Sequence, residues 1–156
     1  GSGERGGGVW MISYNIRMIR YSDVLLMYAE ALNEDGKPAQ ALIYLNQVRR
    51  RARNTNPVDP RRDRQTYNTF PDITETNQDK LRQIIWHERR CELAMEGWRR
   101  DDLMRQKRFG EVMRAYAKKY STTKGANFED NRDYLLPIPQ SEIDKSNNVL
   151  KQNPGY

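Results

Sequence analysis

The chain has 156 residues and a mass of 18.4 kDa, enough for about one domain. Its 27 Lys and Arg outnumber 21 Asp and Glu for a formal charge of +6, and mean hydropathy is −1.00. Cys91 stands alone, which excludes an internal disulfide and a multi-cysteine metal site, and no stretch reaches the roughly 18 to 20 apolar residues of a membrane helix.

Residues 1–8, Gly-Ser-Gly-Glu-Arg-Gly-Gly-Gly, lose too much entropy on ordering to fold alone and read as a flexible end or cloning scar, leaving 9–156 as the structured region. Residues 9–21 mix β-formers with polar residues and suit an extended lead-in. A helix is predicted over Ser22 to Glu34, with Ser22 as cap and Asp23 favoured at the positive end of the helix dipole. Val24 to Leu32 is apolar on nearly every side except at Glu30, the pattern of a helix covered by several neighbours. Asn33-Glu34-Asp35-Gly36 closes it, and Pro38 opens a second helix that runs to Arg53. Ala41, Leu42, Leu45, Val48 and Ala52 step by three or four along that helix, which leaves Gln40, Asn46, Gln47, Arg50 and Arg51 outside. The pair reads as an antiparallel hairpin, with Leu25, Tyr28 and Leu32 facing Leu42, Leu45 and Val48. Tyr28, Ala29, Leu32, Gly36, Ala41 and Leu42 match the tetratricopeptide pattern, of which about three units are needed for a stable stack.

Residues 54–76 hold Pro57, Pro60 and Pro71 among Asn, Asp, Thr and Arg, a connection longer than the usual limit of about 12 to 15 residues. Its aromatics Tyr67 and Phe70 either pin a surface excursion or contact a ligand. With Trp10 they are the candidate ligand contacts, because they fall in irregular segments rather than on helix stripes. A third helix is predicted from about Gln78 to Met95, capped by Thr76 or Asn77. Its stripe begins with Leu81, Ile84 and Ile85 and continues with Glu88 and Glu92. A buried carboxylate is costly without a partner, so both are expected to join an ion-pair network with Arg20, Arg49, Arg89 and Arg99. Gly97 bends or ends this helix, Trp98 to Phe109 continues helically with Leu103 and Met104 inward, and a weaker helix covers Glu111 to Tyr120. Residues 121–131 read as loop, and Tyr134-Leu135-Leu136-Pro137-Ile138-Pro139 as extended, because each proline biases its predecessor away from helix. At most one helical turn is expected near Ser141 to Asp144. The fold class is all-α: a tetratricopeptide-like hairpin, further helices and an irregular C-terminal segment.

Arginine clusters at 49–53 and 61–64 invite a nucleic-acid reading. Interleaved carboxylates, as in Glu88-Arg89-Arg90 and Arg99-Arg100-Asp101-Asp102, argue against it by offering those cations partners within the chain. His87-Glu88-Arg89-Arg90-Cys91 has Cys where the zinc-peptidase helix has its second His, and no third ligand is evident, so a structural helix without metal is expected. No nucleophile elbow, phosphate-binding loop or His-bearing triad occurs. The chain therefore reads as non-enzymatic and free of cofactors.

Four blocks, in order, resemble the C-terminal half of the SusD/RagB family: Ile19 to Glu34; Leu45-Asn46-Gln47-Val48-Arg49-Arg50-Arg51-Ala52; Glu88-Arg89-Arg90-Cys91-Glu92-Leu93-Ala94-Met95-Glu96-Gly97-Trp98-Arg99-Arg100-Asp101-Asp102-Leu103; and Tyr134 to Asp144 with Gln152-Asn153-Pro154-Gly155-Tyr156. The resemblance covers about residues 16–156. It implies a tetratricopeptide-like α-helical fold and a non-catalytic outer-membrane lipoprotein on the cell-surface side, which captures oligosaccharides and sits on a SusC-like TonB-dependent transporter. It also implies that the lipid-bearing N-terminal cysteine and most sugar-contacting loops belong to a part absent from this chain, which then reads as a C-terminal fragment. Trp98, where the family often has His or another residue, and the variable 54–76 segment keep sugar contacts from being carried over residue by residue. The alternative is a helical-repeat scaffold that binds a protein partner and no glycan.

Overall fold

The computed structural model describes residues 18–54, 71–147 and 149–156. Among these lie six helices and no strand: α1 (Tyr21–Glu34), α2 (Pro38–Asn54), α3 (Gln78–Glu92), α4 (Arg99–Arg105), α5 (Phe109–Tyr120) and α6 (Gln140–Lys145). The chain divides into two compact units, the first ending at Arg89 and the second beginning at Arg90.

In the first unit α1 and α2 form the hairpin. Leu25, Leu26, Ala29 and Leu32 of α1 pack with Ala41, Leu45 and Val48 of α2 and with Leu81 and Ile85 of α3. Leu26, Leu45, Leu81 and Ile85 are essentially fully buried, each contributing about 1.5 to 3 kcal/mol by leaving water. The α1–α2 turn is closed by two backbone bonds, Lys37 N–H to the Leu32 carbonyl (2.9 Å) and Gly36 N–H to that of Asn33 (3.1 Å). Gly36 sits at φ 71°, the left-handed geometry this closure demands.

Several expectations are corrected here. Arg20, not Ser22, precedes the first helical residue, in extended conformation and without a side-chain cap bond. Ser22 lies inside the first turn, where its hydroxyl accepts a bond from the Arg20 guanidinium. Tyr28 is 48% exposed, its ring edge-on to Tyr44 at 4.6 Å rather than inside the core. Ala52 is exposed, whereas Asn46 is buried. Of the two caps expected for α3, Asn77 is the one that acts, its side chain accepting from Lys80 N–H at 3.1 Å.

In the second unit the helix expected over 98–109 stops already at Arg105, and the next one starts at Phe109 rather than Glu111, across a tight corner. α4 ends with Arg108 N–H bonded to the Leu103 carbonyl (2.9 Å) and Lys107 N–H to that of Met104 (3.1 Å), and this closure forces Lys107 to φ 56°. Upstream, Met95 (φ 68°) and Gly97 (φ 90°) stop α3 at Glu92 instead of Met95. Leu103 is buried and Met104 partly so. On α5, a Cβ at Gly110 would fall 2.0 Å from the Asp130 carboxylate, so glycine lets the following loop lie directly on the helix. Phe109, Phe128 and Tyr134 form an aromatic chain with ring centroids 4.9 and 5.0 Å apart. The C-terminal tail folds back on 135–138. Gln152 both donates to the Ile138 carbonyl and accepts from its N–H at 2.8 Å, and the Tyr156 hydroxyl donates to the Leu135 carbonyl at 3.1 Å.

Candidate functional site

Polar ties hold α3 on the hairpin of the first unit. The most buried is the pair Asp23–Arg89, 2.8 Å apart with side chains 4% and 5% exposed. Arg89, with Leu81 and Ile85, makes the buried face of α3. Glu88, one residue earlier, sits at the edge of that face and accepts from Arg49 at 2.6 Å. The stripe thus carries a buried cation where the sequence pattern points to carboxylates. Trp86 Nε1–H donates to Glu30 at 2.8 Å. Arg82 grips both oxygens of Glu34 at 2.6 Å, which holds that carboxyl below its ordinary range. Asn33 donates to the Gln78 carbonyl at 2.9 Å and Gln78 to that of Asn33 at 2.8 Å.

Of the other residues expected in the network, Arg20 is at the start of α1 and Glu92 is partly buried at the end of α3. Arg99 begins α4 in the second unit. Burial first, then repulsion from Arg90 and Arg108, lowers its affinity for the proton.

A second set of ties fixes residues 71–73 on the last turns of α2. The Asn46 amide donates to the Ile73 carbonyl (2.9 Å) and accepts from its N–H (2.8 Å), so one side chain imitates a strand neighbour. Arg49 donates to the Pro71 carbonyl, while Arg50 and Arg53 share the Asp72 carboxylate and hold it below the usual carboxylate range. The described chain thus leaves off at Asn54, the end of α2, and resumes at Pro71 on the last turns of the same helix. Tyr67 and Phe70 between these points, and Trp10, lie outside the described residues. The anchoring was not foreseen, because Asn46 reads as surface in a hydrophobic pattern and its partner is backbone. Asp23 carried a detectable signal, a carboxylate opening an otherwise apolar helix.

Among the described residues, each unit bears an open cleft. In the first, about 350 Å³ is bounded by Arg20, Tyr21, Ser22 and Leu25 of the α1 start and by Gln47, Val48 and Arg51 of α2. In the second, about 380 Å³ is bounded by Lys107, Asp130, Asn131, Arg132, Tyr134 and Leu135. His87 and Cys91 are both exposed. Among the described residues no three His, Cys, Asp or Glu side chains are grouped to hold a metal ion. No described helix is long and apolar enough to cross a membrane.

The model of the SusD family matches residues 4–156. Two similar proteins are from Formosa agariphila. SusD-like protein P2 is 39% identical over 92% of this chain and 26% of its own length, and SusD-like protein P38 is 42% identical over 64% and 18%. Among solved structures, a SusD-like protein from Bacteroides fragilis superposes with a TM-score of 0.60 at 31% identity, over 88% of this chain and 25% of that one. The chain thus spans about a quarter or less of the length of these relatives.

Proposed function

Because the chain belongs to the SusD family, we propose that it is the C-terminal part of a non-catalytic glycan-capture protein. In this reading the whole protein is held on the outer membrane by an N-terminal lipid and delivers oligosaccharide to a SusC-like TonB-dependent transporter. The observation that carries the reading is the family match across nearly the whole chain, together with the fold it shares with the Bacteroides fragilis protein. The described architecture suits a supporting role. Ion pairs and side-chain amides fix α3 and residues 71–73, and such a scaffold positions loops without performing chemistry. Trp10, Tyr67 and Phe70 remain the aromatic contacts proposed for this part.

A protein-scaffold reading is favoured by one specific observation. Tyr21, Val24 and Tyr28 recur on one face of α1, with Met27 alongside, and all are between 43% and 68% exposed. Calorimetric titration of a longer natural protein containing this chain, with a panel of plant, host and microbial oligosaccharides, separates the two. Saturable binding of at least one glycan is expected. Failure of every glycan, with capture of a protein partner through α1, would overturn the glycan reading.

A further inference from the structure

If the protein captures glycans, the cleft of the second unit specifies a class of sugar. Its lining sets the charged or polar side chains Lys107, Asp130, Asn131 and Arg132 beside the apolar surface of Tyr134 and Leu135, it is open to solvent, and its volume of about 380 Å³ falls within the range of about 300 to 1,000 Å³ typical of ligand sites. Three of its charged side chains differ in how they are neutralised. Asp130 pairs with Arg114 at 2.6 Å, and Arg132 pairs with Asp133 at 2.7 Å and Glu129 at 3.2 Å. Lys107 has no carboxylate partner among the described residues; its ammonium stands 4.6 Å over the Tyr134 ring.

The backbone adds a second, independent observation. Lys107 occupies the position after α4 at φ 56°, where glycine is the ordinary residue because it has no Cβ. A lysine is nonetheless present there, and its side chain is steadied against an aromatic face rather than left to wander. Tyr134 is itself wedged against Phe128, and its hydroxyl is buried without a partner among the described residues. The cleft thus combines a localised positive charge, a carboxamide in Asn131 and a neutralised carboxylate in Asp130.

We propose that this cleft binds an anionic sugar residue, with Lys107 paired to its carboxylate or sulfate and with Asn131 and Asp130 bonding its hydroxyls. The inference rests on the glycan-capture reading and adds the charge of the ligand. Because the site is open, solvent screening keeps the ion pair weak.

The test is a titration of the isotope-labelled 156-residue chain, followed by amide resonances, with sodium glucuronate, glucose 6-sulfate, glucose and inorganic sulfate. Both anionic sugars are expected to shift the amides of Lys107, Asn131 and Leu135 at lower concentration than glucose or sulfate, and added salt to weaken them. Lys107→Gln is expected to weaken the anionic sugars about three- to fivefold, the scale of an exposed ion pair, and to leave glucose unchanged. Lys107→Gly, which suits the backbone geometry, should do the same without risk to folding, and Lys107→Arg should retain binding. Equal affinity for glucose and glucuronate, sulfate binding as tightly as glucose 6-sulfate, or indifference to both charge-removing variants would overturn the proposal. So would an absence of shifts at the cleft. In that last case, glycan binding by the longer protein in calorimetry would leave the capture reading standing, and its failure there would remove both.

Discussion

Asp23 and Arg89 are almost wholly removed from water, so the energetics of this pair depend on its being complete. Removing one member leaves a buried charge without its counter-ion. Asp23→Asn is expected to cost about 3 to 5 kcal/mol in urea unfolding, and a double replacement by apolar residues should recover much of it. Arg49–Glu88 is slightly more open, and Glu88→Gln tests whether it belongs to the same class: a loss of about 3 kcal/mol is expected, and a variant that melts with the parent would make the carboxylate mere surface charge. Glu34 sets a pH dependence. Arg82 lowers its folded value below the ordinary 4.5, so its stabilising contribution is complete above about pH 4.5 and is lost as pH falls through the folded value. The group is largely exposed, and screening limits the contribution to less than about 1 kcal/mol. Urea midpoints between pH 6 and pH 3 should therefore fall less steeply for Glu34→Gln than for the parent. At this scale the sequence announced that charges face inward on α3 but not which one is deepest. A face advancing 3.6 residues per turn from Ile85 falls between positions 88 and 89, and only the partner on α1 decides in favour of the arginine.

The helices themselves were legible because their apolar residues recur at helical spacing and their ends carry recognisable signals, Gly36 and Pro38 between α1 and α2 and Asn77 before α3. The break between α4 and α5 was expected after Phe109 and falls instead after Arg105, since it is made by lysine rather than glycine in a left-handed conformation, and composition offers no warning of that. Met95 presents the same geometry at full exposure, where nothing packs on its side chain. Met95→Gly should relieve the strained backbone and raise stability by about 0.5 to 1 kcal/mol after the entropy that glycine adds to the unfolded chain. The side-chain amide clasps were equally invisible. Asn46 reads the backbone of residue 73 and Gln152 that of residue 138, pairings with no hydrophobic or charge signature. Asn46→Ala leaves an N–H and a carbonyl of Ile73 unsatisfied and is expected to cost about 1 to 3 kcal/mol, with loss of hydrogen-exchange protection at Ile73 before that of the α1–α2 core.

For the molecule as a whole, the family and the all-α architecture could be read from ordered sequence blocks, whereas the proposed sugar contacts could not, because binding surfaces are assembled from loops far apart in sequence. In the proposed glycan-capture reading, the 156-residue chain is expected to keep its helical signal in circular dichroism while binding neutral oligosaccharides far more weakly than a longer natural protein that contains it; equal affinity of the two in calorimetry would show that this part alone builds the site. The outward row of Tyr21, Val24, Met27 and Tyr28 on α1 has a consequence inside a living cell. Chaperones and proteases recognise exposed apolar surface as a sign of unfinished folding, and they act on it whether or not the core beneath is complete. A correctly folded copy of this chain, produced alone, should therefore be short-lived in pulse–chase labelling. Replacing Tyr21, Val24 and Tyr28 with glutamine should lengthen its life even if thermal stability stays the same, because what changes is how the molecule is inspected rather than how firmly it is held together.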